Sequence, residues 1–88
     1  LPTFVLEFAP AAVRDLKRLD PPVRVQLLRA SRVLADNPYP SASGRIKMLV
    51  GVTPRHLRLR MGDYRLIYRV EGSQVFVVRV AHRREVYR

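Results

Sequence analysis

Apolar and polar positions change period near the middle of the chain. In "TFVLEF" (residues 3–8), Phe4, Leu6 and Phe8 fall on one face of a short strand. Pro10 suits the first turn of a helix, and Val13, Leu16 and Leu19 form its apolar stripe. Asp20 followed by Pro21 is a second start signal, an N-cap with proline at the first helical position. Leu27, Leu28, Ser31, Leu34 and Ala35 carry that helix to Asn37-Pro38, which stops it. The two segments predict a helical hairpin, and "NPYPSASG" (37–44) predicts a loop containing Tyr39.

From Arg45 onward the period is two. Leu57, Leu59 and Met61 alternate with His56, Arg58 and Arg60, and Tyr64, Leu66, Tyr68 and Val70 alternate with Arg65, Ile67 and Arg69. Phe76, Val78 and Val80 alternate with Val75, Val77 and Arg79, giving a third strand, and "IKMLVG" (46–51) precedes them as a short strand or arm. Gly62-Asp63 is a two-residue hairpin loop with glycine first, as a type II′ turn requires. It sets Met61 opposite Tyr64, Leu59 opposite Leu66 and Leu57 opposite Tyr68, with both tyrosines in the core and their hydroxyls at its rim. On the other face it sets Arg60 opposite Arg65, Arg58 opposite Ile67 and His56 opposite Arg69. The next loop, "EGS", is expected to hold three residues, because that length keeps Phe76, Val78 and Val80 on the apolar face. The expected fold is α+β in one domain spanning 1–88. An N-terminal strand and a helical hairpin lead into an antiparallel three- to four-stranded meander packed on the helices.

Composition then narrows the chemistry. With no cysteine the chain has neither disulfides nor thiol catalysis, and its two histidines and seven carboxylates show no metal-ligand spacing. No metal and no cofactor is expected. No apolar run reaches the ~18 residues of a membrane span and no signal-peptide pattern is present, so the expected location is cytoplasmic. The net charge of +10 predicts a polyanionic partner. Residues 1–44 hold six bases and four acids; residues 45–88 hold eleven and three. The basic half is therefore the half that forms the sheet.

On the expected register, the outward sheet face carries Arg58, Arg60, Arg65, Arg69 and Arg79 with no acid among them. Like charges directly opposite are unfavourable, so Arg60 facing Arg65 makes sense when an anion sits between them. The chain ends in "VAHRREVYR", where His82, Arg83, Arg84 and Arg88 surround Tyr87. A phenol is a poor base at neutral pH, but neighbouring guanidiniums favour its phenolate. Tyr87 is accordingly either a proton acceptor or a ring packed on the sheet or on a base. His82 is a proton donor, a stacking platform or a structural histidine; Glu85 is a base or the ion-pair partner of an adjacent arginine. Metal-free RNA cleavage suits such a set, because the substrate's own 2′-OH is the nucleophile. The protein then has to move protons and stabilise charge on phosphorus. Arginine can do the second but not the first.

The stretch Gly62-Asp63-Tyr64-Arg65-Leu66-Ile67-Tyr68, the Lys47, Leu49 and Gly51 element and the His82-to-Tyr87 ending together resemble the RelE/ParE toxin superfamily, and more closely its RelE branch. The resemblance covers nearly the whole chain. It implies a RelE-like fold and the toxin of a type II toxin–antitoxin system. Such a toxin is a metal-independent endoribonuclease, an mRNA interferase that cuts mRNA in the ribosomal A site and leaves a 2′,3′-cyclic phosphate. It implies Tyr87 as base, Arg65 and Arg83 as phosphate supports, and His82 and Arg58 beside them. Lys47, Arg55, His56, Arg60, Arg69, Arg79 and Arg84 would complete the RNA surface. The family places two lysines where this chain has His56 and Arg58, so the proton-donating task falls to His56 or His82. The implied partners are the ribosome with its mRNA and a cognate antitoxin in a hetero-oligomer that covers the basic site. Two other readings are a ParE-like toxin acting on DNA gyrase and a non-catalytic RNA- or ribosome-binding domain.

Overall fold

The computed structural model of the chain describes residues 3–51 and 54–82. Its elements run β1 (Val5–Phe8), α1 (Pro10–Lys17), α2 (Pro21–Ser31), α3 (Val33–Asp36), β2 (Ile46–Met48), β3 (Leu57–Met61), β4 (Tyr64–Glu71) and β5 (Gln74–His82). The strands form one five-stranded sheet in the order β1-β5-β4-β3-β2. The α+β architecture expected from the sequence is present: "IKM", within the stretch expected as a short strand or arm, forms one edge strand, and β1 joins the sheet at the other edge, parallel to β5. Among the described residues no helix is long and apolar enough to cross a membrane.

The helical hairpin forms as its prolines predict, Pro10 and Pro21 each opening a helix. Asp20 occupies the N-cap position of α2 with extended backbone, but its side chain makes no capping hydrogen bond. The second helix also breaks at Arg32, and Leu28 lies 39% exposed instead of in the core. Ala12, Leu16, Leu27 and Leu34 are the helical residues fully committed to the core, against Leu57, Leu59, Met61, Leu66, Tyr68, Val75, Val77 and Val80 of the sheet. Tyr68 goes deeper than a rim position: it is fully buried and its hydroxyl donates to the Pro38 carbonyl, tying the loop after α3 to the sheet. Burial pushes its phenol above the ordinary value of 10, which removes Tyr68 from proton exchange near neutrality.

The first hairpin adopts the expected register, with Met61 opposite Tyr64, Leu59 opposite Leu66, Leu57 opposite Tyr68 and Arg60 opposite Arg65. Gly62 has φ +62° and no non-glycine residue among the described residues has positive φ, so Asp63 is excluded from a type I′ turn and the glycine-first type II′ remains. The second hairpin corrects the three-residue expectation. Glu71 pairs with Gln74, leaving Gly72-Ser73 as a two-residue loop with Gly72 at φ +58°. That register puts Val75 and Val77 in the core and Phe76 on the outward face. Continued unbroken, it would also have put Arg79 inside and Val80 outside. A bulge prevents this. Tyr68 pairs with Val77 while Ile67 pairs with Arg79, so Val78 is an extra residue and the side-chain phase reverses.

The bulge is held from the helix side. β1 pairs with β5 only as far as Val77, and the chain then turns into α1. The edge left bare receives the Asp15 carboxylate, which accepts from the Val80 N–H (2.8 Å) and from Arg79 Nε (2.8 Å) and Nη2 (3.0 Å). A side-chain oxygen thus stands where a neighbouring strand's carbonyl would be. Burial alone would raise the Asp15 pKa, but the bonds from Arg79 and Val80 and the nearby Arg18 outweigh it and hold the carboxyl below its ordinary 3.8. A depressed carboxylate stabilises the fold at pH above its unfolded value. That contribution disappears as pH falls through the folded value.

Asp15→Ala should cost about 1–3 kcal/mol in urea unfolding at neutral pH. The cost comes mainly from leaving the buried Val80 N–H without an acceptor, since Arg79 is 56% exposed and water softens its loss. The variant should also lose part of the acid-limb fall in stability shown by the parent chain. A variant equal in stability to the parent would show that the bulge does not depend on this carboxylate.

Candidate nucleic-acid interface

The sheet's outward face is ordered by two rows of the ladder. One runs Lys47–Arg58–Ile67–Arg79 and the other Arg60–Arg65–Ala81. Paired residues in a sheet share a face, so Lys47, Arg58, Arg60 and Arg65 form a compact cationic group over β2, β3 and β4. No acidic side chain occupies a register position in these two rows. Arg58 and Arg65 are each 7% exposed, whereas Lys47 and Arg60 are open to solvent. Carbonyl oxygens orient the two buried guanidiniums. Arg65 Nη1 donates to Gly62 (3.2 Å) and Tyr64 (3.0 Å) within its own hairpin, and Arg58 Nη1 reaches Arg45 (3.5 Å). Two cations about 6 Å apart repel by roughly 1–3 kcal/mol depending on screening.

The structure removes two arginines from that group. Arg79 is taken by Asp15 at the bulge. Arg69 lies toward the other end of β4, where it pairs with Glu71 (3.4 Å) and sits over the Phe76 ring at 5.6 Å. The expectation of five arginines without an acid therefore gives way to a smaller cluster. Sequence reading missed both acids for different reasons. Glu71 was assigned to the turn, and Asp15 is 64 residues from its partner with no local signal.

The two histidines separate. His82 pairs with Tyr64 and stacks edge-on against its ring at 5.4 Å, which puts it on the helix-facing side of the sheet, across from Arg65. With Asp15, Arg18, Tyr64 and Arg79 it lines a pocket of about 170 Å³ there. His56 is two residues before Arg58 and so shares its face. Its carbonyl still accepts from Leu49 N (2.9 Å), although the β3–β4 ladder ends at Leu57–Tyr68 and His56 does not pair with Arg69. His56 Nδ1 lies 2.6 Å from the Pro54 carbonyl. A carbonyl can only accept, so Nδ1 carries the proton of that bond. Arg55 is exposed at the head of the same strand, beside a hollow under β2. Arg83, Arg84, Glu85 and Tyr87 lie outside the described residues. Among the described residues no three His, Cys, Asp or Glu side chains converge as a metal site.

Comparison with known proteins agrees with this architecture. The sequence matches the model of the ParE toxin of type II toxin–antitoxin systems over residues 6–87. The chain therefore belongs to that family, and it is a type II toxin of the RelE/ParE superfamily. The fold resembles the toxin–antitoxin complex RelBE2 of Mycobacterium tuberculosis, with a TM-score of 0.79 and 27% identity over 93% of this chain and 99% of that one. It also resembles a double arginine-to-alanine variant of E. coli toxin RelE in the free state, with a TM-score of 0.68 and 29% identity over 99% and 92%. The RelE–RelB complex of Pyrococcus horikoshii, at 24% identity, shares the fold with a TM-score of 0.74 over 92% and 96%. No curated protein sequence matches the chain significantly.

Arg60→Ala should leave thermal stability unchanged or raise it, by relieving repulsion from Arg65. It should also flatten the log–log salt dependence of single-stranded RNA binding by about 0.7. Thermal melts and fluorescence anisotropy across a salt series read both. A loss of more than ~1 kcal/mol with an unchanged salt slope would contradict the role given to this row.

Proposed function

We propose that the chain is a ribosome-dependent endoribonuclease that cleaves mRNA in the A site and is held inactive by a cognate antitoxin. The observation that carries the reading is the group Lys47, Arg58, Arg60 and Arg65 on one sheet face, fixed by a register in which cations oppose cations. Superfamily membership and the likeness to RelE structures support it, as does the "H-R-x-x-V-Y" ending of the sequence. The cognate antitoxin is inferred from neighbours solved as toxin–antitoxin complexes.

In this mechanism the 2′-OH of one nucleotide attacks the adjacent phosphorus and gives up its proton to the Tyr87 phenolate. Arg58 and Arg65, with Arg83, stabilise the added negative charge on the phosphoryl oxygens. The P–O5′ bond breaks, leaving a 2′,3′-cyclic phosphate and a 5′-OH, and the departing oxygen takes a proton. His56 suits that last task better than His82. It shares the face of Arg58 and, in its imidazolium form, gives Nε2–H to that oxygen while Nδ1–H stays on the Pro54 carbonyl, whereas His82 stacks on Tyr64 across the sheet. Substrate and side chains alone provide every group that the bond changes require, so the route needs no metal.

A second reading, inhibition of DNA gyrase, rests on the match to the ParE toxin model. Primer extension on translated mRNA separates the two: codon-phased, ribosome-dependent cuts mark the first, and intact mRNA with accumulating gyrase–DNA cleavage complexes marks the second. Tyr87→Phe should slow cutting about 10²- to 10⁴-fold while leaving RNA binding nearly unchanged. Arg65→Ala should weaken both. Full-rate cleavage by Tyr87→Phe would remove the tyrosine from the mechanism.

A further inference from the structure

The outward face of the sheet changes character along β4. Arg65, Ile67 and Arg69 lie on that face at every second position, so Arg69 stands about 14 Å along the strand from Arg65. There a cross-strand row runs Glu7–Phe76–Arg69 over β1, β5 and β4, and the next row runs Val5–Gln74–Glu71. The helices pack against the other side of the sheet, and among the described residues Phe76 has no place in that core cluster. It is a half-buried aromatic ring on an uncovered sheet face, with exposed Glu7, Glu71 and Gln74 around it.

One side of the ring is taken. The Arg69 guanidinium carbon lies over it at 5.6 Å from the centroid, and the Glu71 carboxylate holds the guanidinium at 3.4 Å. Arg69 reaches the ring from β4, so the opposite side of the ring is turned toward β1 and Glu7. A cation over one face draws electron density toward itself and leaves the other face a better partner for an electron-rich ring. The surroundings decide which part of an RNA fits. Two carboxylates, Glu7 and Glu71, border the ring, so a backbone phosphate is repelled from it. A nucleobase carries no charge, stacks on an aromatic ring and can donate an exocyclic N–H to a carboxylate. The cationic group and this ring therefore suit different parts of one strand.

We propose that Phe76 is a stacking platform for an amine-bearing purine of the RNA that crosses the sheet, with Glu7 accepting from the purine's exocyclic amine. The inference rests on the reading of this face as the RNA surface and adds how the strand is set in register. Phosphate contacts position a strand without reading it, and base contacts give the selectivity. With phosphate held by Lys47, Arg58, Arg60 and Arg65 and a purine on Phe76, the strand is anchored at two points of unlike chemistry. A purine stacks more strongly than a pyrimidine, and its amine supplies the donor that uracil lacks, so uridine is the base this platform favours least. Arg69 keeps its ion pair, because the base takes the side of the ring away from it.

Fluorescence anisotropy at fixed salt tests this with short RNAs of equal length and charge. One is all uridine, one carries a single adenosine moved along the strand, and one carries in its place a purine riboside, which lacks the amine. At its best placement the adenosine RNA should bind about tenfold more tightly than the all-uridine RNA, with the purine riboside RNA between them. Phe76→Leu should erase that preference while leaving the affinity for all-uridine RNA and its salt slope as in the parent. Glu7→Ala, at an exposed edge position, should bring the adenosine and purine riboside RNAs level, and taking their ratio cancels the change in net charge. Thermal melts check that both variants fold. A parent chain indifferent to the adenosine at every placement, or a Phe76→Leu variant that keeps the preference, would overturn the proposal. A gap between adenosine and purine riboside that survives Glu7→Ala would remove Glu7 from it. Cleavage of translated mRNA is scored separately. An adenosine preference carried by Phe76 with intact mRNA would leave the platform standing and sink the nuclease, and codon-phased cuts without that preference would do the reverse.

Discussion

Asp15 supplies the acceptor that a missing strand would have supplied, and the rest of the sheet's two-faced character depends on it. β5 enters from a two-residue turn in one side-chain phase and must leave in the other for Val80 to join Leu66 in the core. Val78 absorbs the difference, and the carboxylate on α1 holds the strand just beyond it by accepting from Val80 and Arg79. A buried N–H without a partner costs roughly 1–3 kcal/mol, a large share of the margin by which an 88-residue domain is stable. The same contact takes Arg79 off the outward face, so fold stability and the shape of the cationic surface are set by one residue.

Much of this was legible in the sequence, and the failures have physical causes. The β3–β4 register could be read because Gly62-Asp63 admits one turn type and the flanking residues alternate strictly. The β4–β5 register could not. "VFVV" (75–78) is apolar on both phases, so pattern alone favours neither loop length, and a bulge that uses both phases leaves no compositional trace. The helices were placed by their prolines, but the break at Arg32 and the exposure of Leu28 have no signal in the apolar pattern. The site was legible to the extent that it is local. Lys47, Arg58, Arg60 and Arg65 share a face as the alternation requires, whereas the partner of Arg79 depends on tertiary placement and that of Arg69 on where the second hairpin turn begins.

A smaller cationic group is a sharper one. Had all five sheet arginines been unpaired, a diffuse field along the sheet would be enough explanation for the charge. Instead Glu71 and Asp15 pair with two of them, and Lys47, Arg58, Arg60 and Arg65 lie together over β2, β3 and β4, with His56 at the margin of the group.

The central claim, that this group is the phosphate site, is tested most directly by nuclear magnetic resonance. Arginine Nε–Hε signals are followed during titration with a short single-stranded RNA made uncleavable by 2′-deoxy substitution. The account predicts that Arg58, Arg60 and Arg65 shift first and together, while Arg69 and Arg79 hold still in their ion pairs. Early shifts at Arg79 and the helix arginines, with Arg60 and Arg65 unmoved, would contradict it.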